Sequence, residues 1–279
     1  MIVENKIKQA SKLLKLHNIK SHNLDAQIIL SDIMGVSKEF LLLNDNLNIK
    51  EKIAEKYRSA IKRRTKGEPV AYITGKREFW NDSFFVNRST LVPRPETELL
   101  IYKILSYFKN RSINILDIGV GSGCILLSLL RELKTSRGTG IDICHKAINV
   151  AKINAKKLNL LNRIKLKVFD INKFDFGKYD LIVSNPPYIP SRDIKKLNKS
   201  ITNYEPLGAL NGGTDGLDLT KKVIYKSKIL LKQKGLLAIE IGNRQYSRVL
   251  RLLCKHGFRE LHKEYDYNKN VRCIISTKL

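Results

Sequence analysis

Apolar positions in the first quarter of the chain repeat with the period of an α-helix. Leu24 to Met34 carries an amphipathic pattern, and Asn48 to Arg64 has an apolar residue at every fourth position along most of its length, which is the spacing of one helical face. Gly67 and Pro69 follow, and both disfavour a continued helix. The pattern therefore predicts a small helical domain over residues 1–68.

Residues 69–92 change character, because aromatic residues are crowded between turn residues. Aromatic density of this kind predicts a β-hairpin, which we interpret as a linker whose aromatic side chains mostly pack between domains. The next segment, LVPRPETELL, places Pro95 and then acidic residues where a helix would begin, as helix N-termini prefer. This pattern alone gives Arg94 and Glu98 a structural role.

From Ile113 onwards, short apolar strands alternate with helical segments. Such alternation predicts an α/β fold with a mostly parallel, doubly wound sheet, in which the last two strands form an antiparallel hairpin. This region belongs to the predicted second domain, residues 93–279. The predicted strands are Ile113–Ile118, Gly138–Ile143, Ile164–Phe169, Leu181–Ser184, Leu236–Ile241, Arg259–Tyr265 and Val271–Thr277, and the predicted helices are Ile125–Leu133, Lys146–Leu158, Thr220–Leu231 and Ser247–His256.

Length and charge narrow the possible partners. The chain of 279 residues is long enough for two domains, since a domain typically holds about 100–150 residues. A formal net charge of +26 favours an acidic or nucleic-acid partner. The basic residues are, however, spread along the whole chain, so the lysine-rich composition of an AT-rich genome explains the same charge. Contact with nucleic acid is therefore left open but is not required.

The cysteines and the apolar runs indicate the cellular compartment in which the protein acts. The four cysteines form no CxxC pair and have no histidine at zinc-finger spacing. We therefore predict no disulfide framework and no metal site, and we expect a reducing, cytoplasmic setting. No apolar run approaches the roughly 18 residues of a membrane span, and the first residues are charged too often for a signal peptide. We expect no membrane contact.

A rigid turn follows the fourth predicted strand, in the segment LIVSNPPYIP from Leu181 to Pro190. Pro186 and Pro187 fix φ and lack N–H groups, so the strand cannot continue through them. The amide of Asn185 and the ring of Tyr188 are thereby placed where the strand ends. Since ligands of open α/β sheets bind at the carboxyl ends of strands, this turn is the main candidate for chemistry.

A glycine loop follows the first predicted strand. It reads Asp117-Ile118-Gly119-Val120-Gly121-Ser122-Gly123 and opens a helix, and Asp142 lies near the end of the next strand. A carboxylate there can accept both hydroxyls of a ribose, so the pattern indicates a cofactor that contains a nucleoside. A nicotinamide dinucleotide normally needs G-x-G-x-x-G, whereas the spacing here is G-x-G-x-G and looks like the S-adenosylmethionine loop. On that interpretation Asp170 bonds the adenine amino group, and a turn cap is the alternative.

Six segments stand in the order found in one family. The chain resembles HemK/PrmC-type protein-glutamine N5-methyltransferases, which methylate the glutamine of the Gly-Gly-Gln motif in peptide-chain release factors. The NPPY turn alone is shared with DNA and RNA methylases, but the PRPETE and YEP-to-GGTDGL segments make the resemblance specific. It covers most of the chain, through GEPVAYITGKREFW, LVPRPETELL, ILDIGVGSGCI, IDICHKAINVAKINA, LIVSNPPYIP and YEPLGALNGGTDGLD.

The resemblance implies a fold and a cofactor. The fold is a Rossmann-like class I methyltransferase domain, with a seven-stranded sheet and a C-terminal antiparallel hairpin, preceded by a small helical domain that grips the release factor. The cofactor is S-adenosyl-L-methionine, and the acid before the glycines helps to hold its methionine end. The predicted cofactor-binding residues are Asp117, Gly119, Val120, Gly121, Ser122, Gly123, Asp142, Asp170, Ile171 and Asn185.

The resemblance also implies roles at the NPPY turn. Asn185, Pro186 and Tyr188 are the predicted catalytic residues, and together with Pro187 they bind the substrate. An amide nitrogen is a poor nucleophile, so its orientation toward the methyl group has to be enforced. The side-chain oxygen of Asn185 and the carbonyl of Pro186 can each accept one N–H of the glutamine amide, while Tyr188 can stack on the planar group.

Some positions depart from the family pattern. Val120 stands where threonine is usual, Cys124 stands where a small alanine is usual, and the loop from Asp266 to Arg272 has asparagine and lysine in place of glycine. A loop that binds through its backbone tolerates the first two changes. The consequence of the third is left open.

Two other functions remain as alternatives. An adenine-N6 methyltransferase of DNA or RNA would use the NPPY turn on a flipped base and the lysine-rich surface on phosphates. A basic nucleic-acid-binding protein with a degenerate methylase fold is the third interpretation. The sequence has no separate target-recognition region, and both of its motifs are intact, so release factor methylation remains the main hypothesis.

Overall fold

The structure, a computed structural model, describes residues 2–279. They divide into two compact units. One consists of the residues up to Lys76 together with Asn198–Tyr204, and the other consists of Arg77–Leu197 and Glu205–Leu279. The predicted domain boundaries, at residues 1–68, 69–92 and 93–279, stay predictions. The division differs from them in that it groups Asn198–Tyr204 with the helices of the first unit.

The first unit is helical. Its buried side chains line the inner faces of the helices, and the hydroxyl of Tyr57 donates a hydrogen bond to the carbonyl of Ala26 at 3.0 Å. A buried ion pair, with 2.8 Å between Arg64 Nε and Asp25 Oδ2, joins the last long helix to the second one. The helices are α1 (Val3–Leu16), α2 (His22–Met34), α3 (Lys38–Leu43), α4 (Glu51–Thr65) and α5 (Val70–Thr74), and a four-residue helix spans Lys199–Thr202.

The segment predicted as a hairpin over residues 69–92 is partly helical. Val70–Thr74 forms α5, which ends where Gly75 adopts a φ of +69°. The hairpin itself is shorter than predicted and consists of β1 (Lys76–Phe79) and β2 (Asp82–Phe85). A helix of one turn is too short to produce a visible period, and this explains why the sequence pattern missed it.

The second unit alternates strands and helices as predicted, with ends that differ by a few residues. The largest difference is at the fifth strand of the large sheet, which begins at Leu231 instead of Leu236. The remaining elements are α6 (Glu98–Phe108), β3 (Asn114–Ile118), α7 (Cys124–Glu132), β4 (Arg137–Asp142), α8 (His145–Lys157), β5 (Ile164–Val168), β6 (Tyr179–Ser184), α9 (Asp218–Leu230), β7 (Leu231–Glu240), α10 (Tyr246–Lys255), β8 (Phe258–Tyr265) and β9 (Val271–Lys278).

Seven strands form one sheet in the order β5-β4-β3-β6-β7-β9-β8. The first five are parallel, while β9 runs antiparallel to β7 and to β8. The predicted mostly parallel sheet with an antiparallel C-terminal hairpin is confirmed. The strand order reverses between β3 and β6, and this is the point at which open α/β sheets bind ligands.

Alternate residues of the central strands pack into cores on opposite faces of the sheet. Ile115 and Leu181 join one cluster with residues of α6, α7 and α8, and Leu116 and Ile182 join the other with residues of α9 and α10. This two-sided burial explains why the strands read as continuous apolar runs. It also leaves the strand ends as the place for polar groups. Within the described residues, no helix combines the length and the apolarity needed to cross a membrane.

Candidate active site

A cavity of about 480 Å³ opens at the carboxyl ends of β3, β4 and β6. Its volume lies within the roughly 300–1,000 Å³ of small-molecule sites. It brings the glycine loop and the NPPY turn to one space. Predicted site residues on its wall are Gly119, Val120, Gly121, Ser122, Asp142, Asp170, Ile171, Asn185 and Pro187; those off the wall are Asp117, Gly123, Pro186 and Tyr188.

The glycine loop is held against β4 by its backbone. The N–H groups of Gly119 and Val120 both donate to the carbonyl of Ile141, at 2.9 and 3.0 Å. Gly123 has a φ of +83°, and a Cβ there would lie 2.9 Å from the Leu127 side chain. A larger residue at this position would be strained and would collide with α7, so the loop needs glycine to turn into the helix.

Asp142 fixes the loop from the end of β4. Its Oδ2 accepts from the Gly121 N–H at 3.0 Å and its Oδ1 accepts from the Cys144 N–H at 2.8 Å. Burial raises the pKa of this carboxyl, and the backbone hydrogen bonds oppose the rise. Each carboxylate oxygen can accept more than one hydrogen bond, so the side chain can bind hydroxyl groups in the cavity while holding the loop.

Asp117 is a buried carboxylate at the end of β3, and only 1% of it is exposed. Neither oxygen has a hydrogen-bond partner of good geometry anywhere in residues 2–279. Burial, together with the negative charge of Asp142, raises the pKa of Asp117 to about 8, although the backbone of Leu126 opposes this. A buried carboxylate without a partner is costly. A cationic ligand group nearby would remove that cost, and S-adenosylmethionine carries an ammonium and a sulfonium.

Asp170 lies on the cavity wall and also caps the turn that follows β5. Its Oδ1 accepts from the backbone N–H and the side-chain amide of Asn172, each at 2.9 Å. The backbone N–H of Asn172 is the main reason that the pKa of Asp170 is lowered. The cap that the sequence offered as one alternative is therefore present, while the bond to the adenine amino group stays a prediction.

The NPPY turn begins with a side chain tied into a hydrogen-bond chain. The Nδ2 of Asn185 donates to Thr97 Oγ1 at 3.3 Å, and that hydroxyl donates to Glu240 Oε2 at 2.6 Å. Burial raises the pKa of Glu240, and the Thr97 hydroxyl, the Arg272 charge and the Asn185 amide oppose this rise. Asn185 itself is half-buried on the cavity wall.

The predicted partners of Asn185 face different surroundings. Pro187 lies on the cavity wall, while Pro186 is buried behind it. The hydroxyl of Tyr188 accepts from Arg272 Nη2 at 3.0 Å, and the Arg272 guanidinium lies 5.3 Å from the centre of the Tyr188 ring. Burial raises the pKa of this tyrosine. Tyr188 is therefore packed against the C-terminal hairpin, and its stacking role stays a prediction.

The GGTDGL segment packs closely against the backbone of the NPPY turn. A Cβ on Gly216 would lie 2.5 Å from the Tyr188 carbonyl oxygen. The Nε2 of Gln245 donates to the carbonyls of Tyr188 and Gly216, at 2.9 and 3.1 Å. Because the two backbones approach this closely, only glycine fits at position 216.

The YEP and PRPETE segments meet through one ion pair. Arg94 Nη2 donates to Glu205 Oε1 at 2.6 Å, and the Val92 N–H donates to Glu205 Oε2 at 3.2 Å. Arg94 also lies on the cavity wall, and its ion pair with Glu205 is a structural contact of the kind that its sequence context predicted. Glu98, which accepts from the Trp80 N–H at 2.8 Å, does have a structural contact.

Two family models match the chain. The model described as the PrmC N-terminal domain matches residues 6–75, and the one described as a methyltransferase domain matches residues 109–276. A release factor glutamine methyltransferase of Clostridium acetobutylicum is 36% identical over 100% of this chain and 99% of its own. One of Buchnera aphidicola subsp. Schizaphis graminum is 38% identical over 98% of each chain.

The chain belongs to the release factor glutamine methyltransferase family. The resemblance inferred from the motifs is thereby confirmed. Membership of a methyltransferase family also confirms the predicted class of enzyme and S-adenosylmethionine as its cofactor.

Solved structures agree with this chain at the level of fold. A methyltransferase from Pyrococcus furiosus has a TM-score of 0.53 at 18% identity and covers 70% of this chain and 88% of its own. A ribosomal protein L11 methylase from Lactobacillus delbrueckii subsp. bulgaricus has a TM-score of 0.50 at 20% identity, with 67% and 81% covered. At these identities the likeness shows the fold alone.

The sequence did not reveal several residues that shape the site of this member of the release factor glutamine methyltransferase family. Glu240 carried one signal, since an acid at the end of the apolar strand Leu236–Glu240 has to be buried with a partner. Thr97 and Glu205 lie in the PRPETE and YEP segments, but nothing in those segments indicated their partners, and Gln245 carried no signal. The partners of all three lie far away in sequence.

Proposed function

We propose that this protein transfers the methyl group of S-adenosylmethionine to the side-chain amide nitrogen N5 of the glutamine in the Gly-Gly-Gln motif of peptide-chain release factors. The observation that carries the proposal is the 36% identity, over the whole chain, to a protein named release factor glutamine methyltransferase. The shared cavity of the glycine loop and the NPPY turn supports it.

The glycine loop and three carboxylates would hold the cofactor. Asp117 would receive the ammonium of the methionine end, since its buried oxygens have no hydrogen-bond partner within the described chain. Asp142 would accept the ribose hydroxyls and Asp170 the adenine amino group, with Ile171 as an apolar wall beside the base. When bound, S-adenosylmethionine supplies an electrophilic methyl group on a sulfonium.

Asn185 and Pro186 would hold the reacting amide. The side-chain oxygen of Asn185 accepts one N–H of the glutamine amide and the backbone carbonyl of Pro186 accepts the other. This pair of bonds holds the nitrogen so that its lone pair points at the methyl group. Such positioning can contribute about 7–11 kcal/mol to lowering a barrier.

The transfer needs no base before attack. With S-adenosylmethionine held by these residues, the amide nitrogen would take the methyl group as the carbon–sulfur bond breaks, and the remainder would be released as a neutral thioether. The alkylated nitrogen is acidic and then loses its extra proton to water. Because positive charge disperses in this step, a cavity that excludes water favours it.

The helical first unit would bind the release factor away from the reacting glutamine. Its match to the PrmC N-terminal domain supports a family-specific role for this unit. Because the proposed substrate acts in translation, we expect the enzyme to act in the cytoplasm. The net charge of +26 does not require nucleic acid as a partner.

The proposal is tested with S-adenosylmethionine labelled in the methyl group. The protein is incubated with a release factor, with DNA or with RNA, and the label is mapped by mass spectrometry. We expect label on the glutamine of the Gly-Gly-Gln motif and none on nucleic acid. Label on adenine would instead establish the nucleic-acid methylase. A release factor whose glutamine is replaced by alanine is the matched control and should take up no label.

A further inference from the structure

Two side chains behind the NPPY turn form a buried hydrogen-bond chain to Asn185. Glu240 is 0% exposed and Thr97 is 2% exposed. The distances are 2.6 Å from Thr97 Oγ1 to Glu240 Oε2 and 3.3 Å from Asn185 Nδ2 to Thr97 Oγ1. The chain thus runs from the end of β7, through the start of α6, to the residue after β6.

The direction of this chain follows from proton counting. A threonine hydroxyl has one proton, and a carboxylate at 2.6 Å takes it as a strong, charge-assisted hydrogen bond. The oxygen of Thr97 is then left only to accept. It can accept from the NH₂ group of Asn185 but not from the carbonyl oxygen, so the amide has one allowed orientation.

The positive charge of Arg272 favours the ionised form of Glu240 and opposes the rise in its pKa that burial causes. Arg272 Nη2 lies 3.8 Å from the second oxygen, Oε1, and donates to the Tyr188 hydroxyl. A charged carboxylate can only accept hydrogen bonds, which preserves the donor direction of Thr97. The C-terminal hairpin therefore takes part in holding the turn, through a residue of the loop whose sequence departs from the family pattern.

The orientation matters because the two ends of an amide have opposite hydrogen-bonding character. With the NH₂ group turned toward Thr97, the oxygen of Asn185 is left for the cavity, where an N–H of the substrate can reach it. With the amide reversed, two donors would face each other and the substrate amide would lose one of its anchors.

We propose that Glu240 and Thr97 are positioning residues that fix the side-chain amide of Asn185 with its oxygen toward the reacting amide. This inference rests on the proposed function. It extends the site beyond the NPPY turn to two buried side chains.

The test compares Thr97→Val, which removes the hydroxyl at almost constant volume, with Thr97→Ser, which keeps it. Misplacement of one anchor in a catalytic site can cost about 100-fold in rate. We expect Thr97→Val to lower kcat for release factor methylation by about that factor. Thr97→Ser should stay within about threefold of the parent, since serine can make the same two bonds. Affinity for S-adenosylmethionine should stay unchanged in both.

A double substitution separates positioning from a general loss of structure. If Thr97 acts through Asn185, Thr97→Val should have no further effect on kcat in a protein that already carries Asn185→Ala. A purely structural role would make the two losses multiply. Multiplying losses, or a Thr97→Val protein with kcat within twofold of the parent, would overturn the proposal.

A measurement without turnover keeps this inference separate from the proposed function. The side-chain ¹⁵NH₂ signals of Asn185 can be assigned by their loss in Asn185→Ala. In the parent protein we expect one proton of the pair to be protected from exchange with solvent, and the protection to vanish in Thr97→Val. Two freely exchanging protons in the parent would contradict the hydrogen-bond chain. Absence of methyl transfer by the parent would contradict only the proposed function.

Discussion

Two buried carboxylates flank the strand that ends in Asn185, and they differ in their partners. Asp117, on β3, is 1% exposed and lacks a hydrogen-bond partner within the part of the chain that the structure describes. Glu240, on β7, is 0% exposed and accepts a hydrogen bond from Thr97. In our proposals the first carboxylate receives a cationic group of the cofactor, while the second holds another side chain. The difference supports our proposals that Asp117 binds the cofactor and that Glu240 helps to orient the side chain that binds the substrate.

The largest effect is expected at Asn185, which ends the hydrogen-bond chain that runs from Glu240 through Thr97. Asn185→Ala removes the acceptor for the substrate amide, and loss of one such group in other enzymes costs about 100- to 1,000-fold in kcat. We expect a loss at the upper end of that range, measured in single-turnover experiments with a release factor. Affinity for S-adenosylmethionine should stay within a few-fold of the parent. Near-normal turnover would remove Asn185 from the site.

The next effect separates the two carboxylates directly. Asp117→Asn removes the charge that would bind the cofactor's ammonium, and a hydrogen bond to a charged group is worth about 1.5–3 kcal/mol. Cofactor affinity, measured by calorimetry, should therefore fall by about 10- to 100-fold. Glu240→Gln is the matched control, since it changes a buried carboxylate of the same sheet and should leave cofactor affinity unchanged. Equal losses in both variants would contradict the division of roles.

A pH dependence follows from the raised pKa of Asp117. In the free protein this pKa is about 8, so the carboxyl is protonated at neutral pH and has to lose its proton to bind a cation. Cofactor affinity should rise by up to about tenfold per pH unit between pH 6 and 8 and level off above pH 8. Calorimetry in two buffers of different ionisation enthalpy should detect proton release on binding at pH 7. Affinity that is independent of pH would argue against this contact.

The raised pKa of Asp117 also predicts that the stability of the free protein falls as the pH rises, whereas cofactor affinity increases. The folded-state pKa of about 8 lies above the unfolded value of about 4. Asp117 therefore contributes most to the stability of the folded free protein below the unfolded pKa. This contribution is lost as the pH rises through about 8. Asp117→Asn should raise the melting temperature of the free protein at pH 8 more than at pH 5. An equal change at both pH values would contradict the raised pKa.

The smallest effect is expected at a third buried carboxylate, which is paired on both oxygens. Glu205 has a side chain that is 2% exposed and binds Arg94 and the Val92 N–H. Glu205→Gln should lower the free energy of unfolding by about 1–3 kcal/mol, since it weakens a charged hydrogen bond. Glu51→Gln, in an exposed pair with Arg58, is the control and should cost less than about 1 kcal/mol. Denaturant unfolding measures both, and equal costs would contradict the role of burial.

The sheet was predictable from sequence because its strands are buried on both faces. Segments such as Leu181–Ser184 read as unbroken apolar runs between helical patterns, and this alternation predicts a mostly parallel sheet. The glycine loop and the NPPY turn were also visible, since glycine and proline act locally on the backbone. The four-residue helix Lys199–Thr202 and the short α5 were not visible, because one turn gives no period.

The contacts behind the site could not be predicted in the same way. Thr97 and Glu240 are 143 residues apart, and nothing in either local pattern indicates the other. Tyr188 likewise faces Arg272 of the hairpin, a contact that depends on how β9 packs beside β7. Side-chain pairs of this kind are set by the tertiary fold, whereas local patterns report only the strands and helices that carry them.

We proposed that Asp117 binds the cofactor and that Asn185 binds the substrate amide. The most direct test is a crystal structure with S-adenosylhomocysteine and a peptide that contains Gly-Gly-Gln. We predict that the Asn185 oxygen lies about 3 Å from the glutamine amide nitrogen, a normal hydrogen-bond distance, and that the cofactor's ammonium contacts Asp117. A peptide glutamine bound away from Asn185, or an ammonium that is bound by groups other than Asp117, would contradict it.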